Sequence, residues 1–115
     1  MNKLLLITFL LFMLSCKGQD CETLPLTYTS YSEAVKKISS ATFNFTDSVN
    51  TSSSSWIRNA NFYSCNGRHG YLILKTAKKN YIFKNVPKQV WYNFKEASSF
   101  GEFYNKNIRG RYKLI

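Results

Sequence analysis

Cysteine and histidine offer this chain its most reactive side chains, and there are few of them. The cysteines are Cys16, Cys21 and Cys65, and His69 is the single histidine. Cys65 and His69 stand four residues apart, and a thiol beside an imidazole can form a nucleophile–base pair. His69 falls in the Asn66–Gly70 turn, with no third group in view to orient the imidazole. A zinc site draws about four ligands, so one histidine with two spare cysteines falls short. From residue 56 onward the only carboxylates are Glu96 and Glu102. There is no P-loop, no GxGxxG and no GxSxG. The expectation is a protein that is not an enzyme, with no cofactor and no metal.

Binding is the chemistry that remains. The 115 residues carry a formal net charge of +10. Residues 56–115 hold 12 basic and 2 acidic residues, whereas residues 16–55 hold 3 and 4. Such a balance favours anionic partners and solubility and says nothing of fold. Nine Phe, eight Tyr and two Trp could supply stacking platforms. Tyr81 and Phe83 alternate along one strand between Lys79 and Lys84, a candidate exposed aromatic face. Arg109 and Arg111 flank Gly110 and, with Lys84 and Lys113, make a candidate anion site. The plainer reading stands beside these. A small domain short of long aliphatics builds its core from aromatics, and most surface charges are merely solvated. Core is the default for Trp56, Phe62, Trp91, Phe94 and Phe103.

Cys16 carries a different chemistry. Lys3 gives a positive start, and Leu4 to Leu14 is an apolar run of eleven residues. A membrane-crossing helix needs about 20 residues, so this run fits a secretory leader instead. Met13-Leu14-Ser15-Cys16 then resembles a bacterial lipobox, with Met13 where Leu is usual. The expectation is removal of a signal peptide, residues 1–15, and acylation of the Cys16 thiol. Several acyl chains at about 0.8 kcal/mol per buried CH₂ would hold the protein on a membrane of the cell envelope. With Cys16 acylated, Cys21 and Cys65 remain, and an oxidising compartment favours a disulfide between them. Two free thiols are the alternative.

The elements follow from pattern. Residues 16–29 read as a polar tether and residues 30–55 as an N-terminal extension. Within the extension, Ser30 and Glu33 have capping-box spacing ahead of a short helix near 31–39. Phe43, Phe45 and Val49 mark a strand at 42–49. The hydroxyl-rich run Thr51–Ser55 is a boundary. Beyond it, Trp56, Ala60 and Phe62 alternate against Ile57 and Tyr63. Asn66-Gly67 is a hairpin turn, and Tyr71–Leu74 is a strand apolar on both faces and so central. Tyr81–Phe83 follows as a third strand, stopped at Val86-Pro87. Pro87 suits a helix start, and Val90, Trp91, Phe94 and Ala97 share one helical face over 87–97. Ser99 and Glu102 repeat the capping spacing before a second short helix bearing Phe100, Phe103, Tyr104 and Ile108. Gly110 fits a C-cap, and a last short strand at Tyr112–Leu114 adds to the sheet edge. The fold class is α+β: an antiparallel three- to four-stranded meander with two short helices on one face, plus the N-terminal helix and strand.

Residues 56–114 resemble the KTSC domain, a short module found at the C-terminus of some lysyl-tRNA synthetases and alone in bacterial proteins. The resemblance lies in Tyr81-Ile82-Phe83, Val86-Pro87, Ala97-Ser98-Ser99-Phe100-Gly101, Phe103-Tyr104-Asn105 and Ile108-Arg109-Gly110-Arg111-Tyr112. This chain departs from the pattern at Phe83, where the family has Tyr, and in its two serines before Phe100-Gly101. The family has no settled activity and implies no catalytic residues, though RNA binding has been suggested for it. Taken together, residues 56–115 are expected to act as a lipid-anchored basic binding module. Its partner would be an anionic envelope component or a protein, with RNA as the second reading, disfavoured by the secretory leader. Intact mass of the membrane-extracted protein checks the address. The expected species starts at an acylated Cys16 and gains only hydrogen on reduction, whereas a chain still starting at Met1 would contradict it.

Overall fold

The paired strands at the centre of this chain are apolar in consecutive residues, so each has two faces to bury. The structure is a computed structural model, and it describes residues 19–115. The leader expected at 1–15 and the acylation expected at Cys16 lie outside the described residues. Four strands pair antiparallel in chain order: β1 (Phe45–Val49), β2 (Ile57–Ser64), β3 (His69–Thr76) and β4 (Asn80–Pro87). Helix α1 (Tyr31–Ser40) precedes them, and α2 (Lys88–Lys95) and α3 (Phe100–Asn107) follow. The fold is α+β, with a four-stranded meander. β1, which belongs to the expected N-terminal extension, pairs along its length with β2, so the sheet runs across the expected boundary at 51–55.

One face of the sheet meets α2 and α3. Phe62, Leu72, Leu74, Phe83 and Val86 pack there against Trp91, Phe94, Phe100 and Ile108. Phe62 and Trp91 stack at 5.5 Å between centroids, tilted by 11°. The opposite face presents Ile73 and Ile82 to Ala34 and Ile38 of α1, with Leu24, Tyr28, Phe43, Tyr63 and Tyr71 around them. The sheet is therefore covered on both sides, which is why β3 and β4 are apolar in consecutive residues.

Two bulges break the alternation. Ile57 and Ala60, three apart, face the same core because the β2–β3 register shifts between Ile57 and Asn59. Ile57 therefore joins Ala60 and Phe62, where simple alternation put it with Tyr63. Phe83 and Val86 do the same on β4, across a shift between Gly70 and Leu72 of β3. Asn85 absorbs the extra residue at φ 55°, a left-handed conformation that asparagine tolerates better than most. Gly70 sits opposite this bulge, and a Cβ there would strike the Tyr63 carbonyl and approach Phe62 Cζ to 2.9 Å.

Local rules fix the helices. Ser30 Oγ accepts from Glu33 N at 3.1 Å. The Glu33 carboxylate turns to Thr29, accepting from its N–H and hydroxyl, and pairs with Lys37 Nζ at 2.9 Å. Pro87 is the N-cap residue of α2 and not its first helical one, and the helix ends at Lys95, short of the expected Ala97. The strand expected at 42–49 begins at Phe45; Phe43 lies before it and packs on the opposite face. Residues 19–29, expected to run as a tether, are docked instead. Cys21–Thr23 form a 3-10 turn, Thr42 N donates to Gln19 O at 2.7 Å, and Lys84 Nζ donates to Leu26 O at 2.9 Å. Cys21 and Cys65 are joined as a disulfide, with Cα atoms 5.8 Å apart.

Asp47 on β1 ties the far edge of the sheet to α2. Its Oδ2 accepts from Trp91 Nε1 at 2.8 Å and from Lys95 Nζ at 2.7 Å. Burial pushes this carboxyl up, but the hydrogen bonds from Lys95, Trp91 and Ser48 outweigh it, so it ionises below its ordinary 3.8. The contribution is complete above that value and is lost as pH falls through the lowered one. Asp47→Ala, which leaves the Trp91 N–H and the Lys95 ammonium unpartnered, is expected to cost about 1–3 kcal/mol at neutral pH. The deficit should shrink on acidification below 3.8, followed by denaturant unfolding across pH. The double change Cys21→Ser with Cys65→Ser opens a closure of 44 residues and should cost about 3–4 kcal/mol in the chain-entropy account, read as a lowered Tm.

Candidate functional site

A cleft of about 450 Å³ lies between the start of β2, the middle of β4 and the turn that follows α3. Trp56, Tyr81 and Phe83 wall it from the sheet side, and Tyr104 and Asn105 from α3. Arg109, Gly110, Tyr112 and Leu114 close it from the chain beyond α3.

The turn positions Arg109. The Tyr104 carbonyl accepts from Ile108 N at 3.0 Å and from Arg109 N at 2.9 Å, which ends the helix. Gly110 then takes φ 75°, a conformation that costs glycine nothing. The chain reverses and comes back along β4. Lys84 N donates to Lys113 O at 3.0 Å, Ile115 N to Ile82 O at 3.1 Å, and Phe83 bridges Leu114. The final segment adds to the β4 edge by this single bridge. Arg109 is left exposed at the rim of the cleft, with Tyr112 half-buried beside it.

Tyr104 is the polar residue most deeply set in the cleft wall, 7 % exposed. Its ring meets Trp56 edge-on at 5.5 Å and Phe83 at 5.8 Å. Burial pushes its phenol up, the Tyr81 phenol adds to that, and the Arg109 charge opposes both. No hydrogen bond among the described residues involves the Tyr104 hydroxyl. Trp56 is held by close approach of α3: a Cβ on Gly101 would stand 2.6 Å from Trp56 Nε1. That accounts for a glycine in the first turn of a helix, where it otherwise weakens the element.

The sequence-predicted binding residues divide. Tyr81, Phe83 and Arg109 line the cleft. Phe83 is 1 % exposed and is a core side chain, so it offers no open stacking face. Lys79 sits over the Tyr81 ring, with Nζ 4.9 Å from its centroid, and 6.0 Å from that of Tyr31. Lys84 is turned to the other face of the sheet by its bond to Leu26 O, and Arg111 Nε donates to Lys106 O at 2.9 Å. Lys113 is exposed and outside the cleft. The expected group of Arg109, Arg111, Lys84 and Lys113 thus contributes Arg109 alone to the lining. By sequence pattern Trp56 and Tyr104 are packing residues and Asn105 carries no mark of a site residue. Nothing in their spacing marks them as lining a cleft, because the Trp56–Gly101 contact joins segments 45 residues apart.

Cys65 is bonded to Cys21, so no free thiol faces His69, which is exposed at the start of β3. Asp20, Cys21 and Cys65 offer ligand atoms within 4.8 Å of one another. With the two sulfurs joined, that group has no thiolate to give a metal.

Residues 76–112 match the KTSC domain. No curated protein and no solved structure matches the chain at a significant level. The KTSC segment starts at the last residue of β3 and covers β4, α2, α3 and the turn after it, a shorter span than the resemblance from residue 56 implied. Of the cleft residues, only Trp56 and Leu114 fall outside the KTSC segment. Gly101→Ala tests the architecture of the cleft. The new methyl would displace Trp56, so the indole N–H signal of Trp56 should move in NMR while that of Trp91 stays, with Tm lowered modestly. Unmoved Trp56 would mean the close approach is wrong.

Proposed function

We propose that this chain is a non-enzymatic binding module of the bacterial cell envelope, held there by lipid on Cys16, with its ligand site in the Tyr104–Arg109 cleft. One observation carries the site: a tyrosine 7 % exposed opens on a cleft beside an uncompensated guanidinium. Among the described residues neither the Tyr104 hydroxyl nor the Arg109 guanidinium has a side-chain partner, so both are available to a ligand entering the cleft. A concave space of a few hundred Å³ with a few convergent polar groups is the usual form of a ligand site. The envelope address rests on the leader and the Met13-Leu14-Ser15-Cys16 pattern. Among the described residues no helix is long and apolar enough to cross a membrane.

RNA binding is the second reading, supported by the 12 basic residues of the last sixty. Backbone recognition needs cations aligned along a path of phosphates. Photo-crosslinking in living cells separates the readings. A crosslinking side chain at Asn105, exposed in the cleft, is expected to capture an envelope component. The same group at Glu96, exposed on the far end of α2, should not. Equal capture at both positions would overturn the cleft as the site. Products removed by nuclease would establish the RNA reading instead.

A further inference from the structure

We propose that the cleft takes an acidic glycan, with a uronic-acid ring at Arg109 and a neutral sugar ring continuing past Trp56. This rests on the cleft being the binding site and names what binds there.

Charge sets the first requirement. Arg109 is the only cation among the lining residues, and one guanidinium holds one carboxylate in a two-point fork. A second requirement comes from the other polar groups. The phenols of Tyr81, Tyr104 and Tyr112 and the Asn105 amide share the same walls. A carboxylate with an apolar body would leave most of these unpaired in a half-enclosed site, at a cost for each. A ring bearing several hydroxyls can satisfy them while its carbons lie against Trp56 and Leu114.

The neighbouring hollow sets the third requirement. Trp56 and Asn105 also line a second space of about 470 Å³, walled by Ser53, Ser54, Ser55, Ser98 and Ser99. Hydroxyls dominate it, and its one charged side chain is Glu102, paired with Lys106 Nζ at 3.1 Å. A second anionic unit would find no cation among these lining residues to receive it, whereas a neutral sugar needs none. The two hollows together suit an acidic unit followed by a neutral one. The same feature disfavours a nucleic-acid strand, which needs a cation for each successive phosphate and has none among the residues lining the second hollow.

The test follows the Trp56 indole N–H by NMR in the detergent-solubilised full chain, with Trp91 as internal control. The probes are methyl glucuronide, methyl glucoside, inorganic phosphate, N-acetyl-leucine and an oligothymidylate. Methyl glucuronide is expected to move Trp56 and leave Trp91 still, and a disaccharide of glucuronate and a neutral sugar should bind more tightly than the single ring. Arg109→Gln should weaken methyl glucuronide about tenfold or more, and Arg109→Lys should restore part of the loss. If phosphate, N-acetyl-leucine or the oligonucleotide moves Trp56 as strongly, the cleft binds but the glycan inference is wrong. If no probe moves it, the glycan inference is also wrong, and capture at Asn105 decides the cleft by itself.

Discussion

A four-stranded sheet with two apolar faces has to be covered on both, and that constraint organises everything else in this chain. β4 shows it most directly. Phe83 and Val86 go to one side and Ile82 to the other, all of them buried. Two short helices cover the first face and a third helix with residues 19–30 covers the second. Each helix is short for independent stability, so each depends on what it packs against. The disulfide and the Lys84–Leu26 bond hold the N-terminal cover, and Asp47 holds α2 from the opposite edge. Aromatics fill the space because they bury the most surface per residue.

The cleft is where that coverage stops short. α3 leaves the sheet at Ile108, which is fully buried, and the chain then reverses through Gly110. Between the helix and the returning segment the wall is made of ring edges and phenols in place of aliphatic chains. The same residues serve packing and site: Tyr104 and Trp56 support each other in the core and also face the opening.

Much of the fold was legible in the chain. Ser30 and Ser99 marked helix starts, Asn66-Gly67 marked a hairpin, and the doubly apolar run at Tyr71–Leu74 marked a central strand. What could not be read were the bulges, since Ile57 with Ala60 and Phe83 with Val86 violate simple alternation and only pairing reveals why. The docking of residues 19–29 was hidden as well, because a polar, proline-containing stretch reads the same whether free or strapped down. The site was half legible. Tyr81 and Arg109 stood out as an aromatic beside charge and as a cation beside glycine. Lys84 did not belong with them, because the period-2 geometry of β4 sends it to the opposite face. Trp56 and Tyr104 were masked by the expectation that aromatics near a helix serve the core, which they also do, and Asn105 by its ordinary place on an exposed helix face.

The account stands or falls on Tyr104 and Arg109 sharing one half-enclosed space. Carbon-13 NMR of the tyrosine ring, titrated with alkali in the native chain and in Arg109→Gln, measures this directly. The Tyr104 phenol is expected to ionise above its ordinary 10.0, held up chiefly by burial, and to rise further when the opposing Arg109 charge is removed. A Tyr104 that titrates like free tyrosine and does not respond to Arg109→Gln would contradict the cleft.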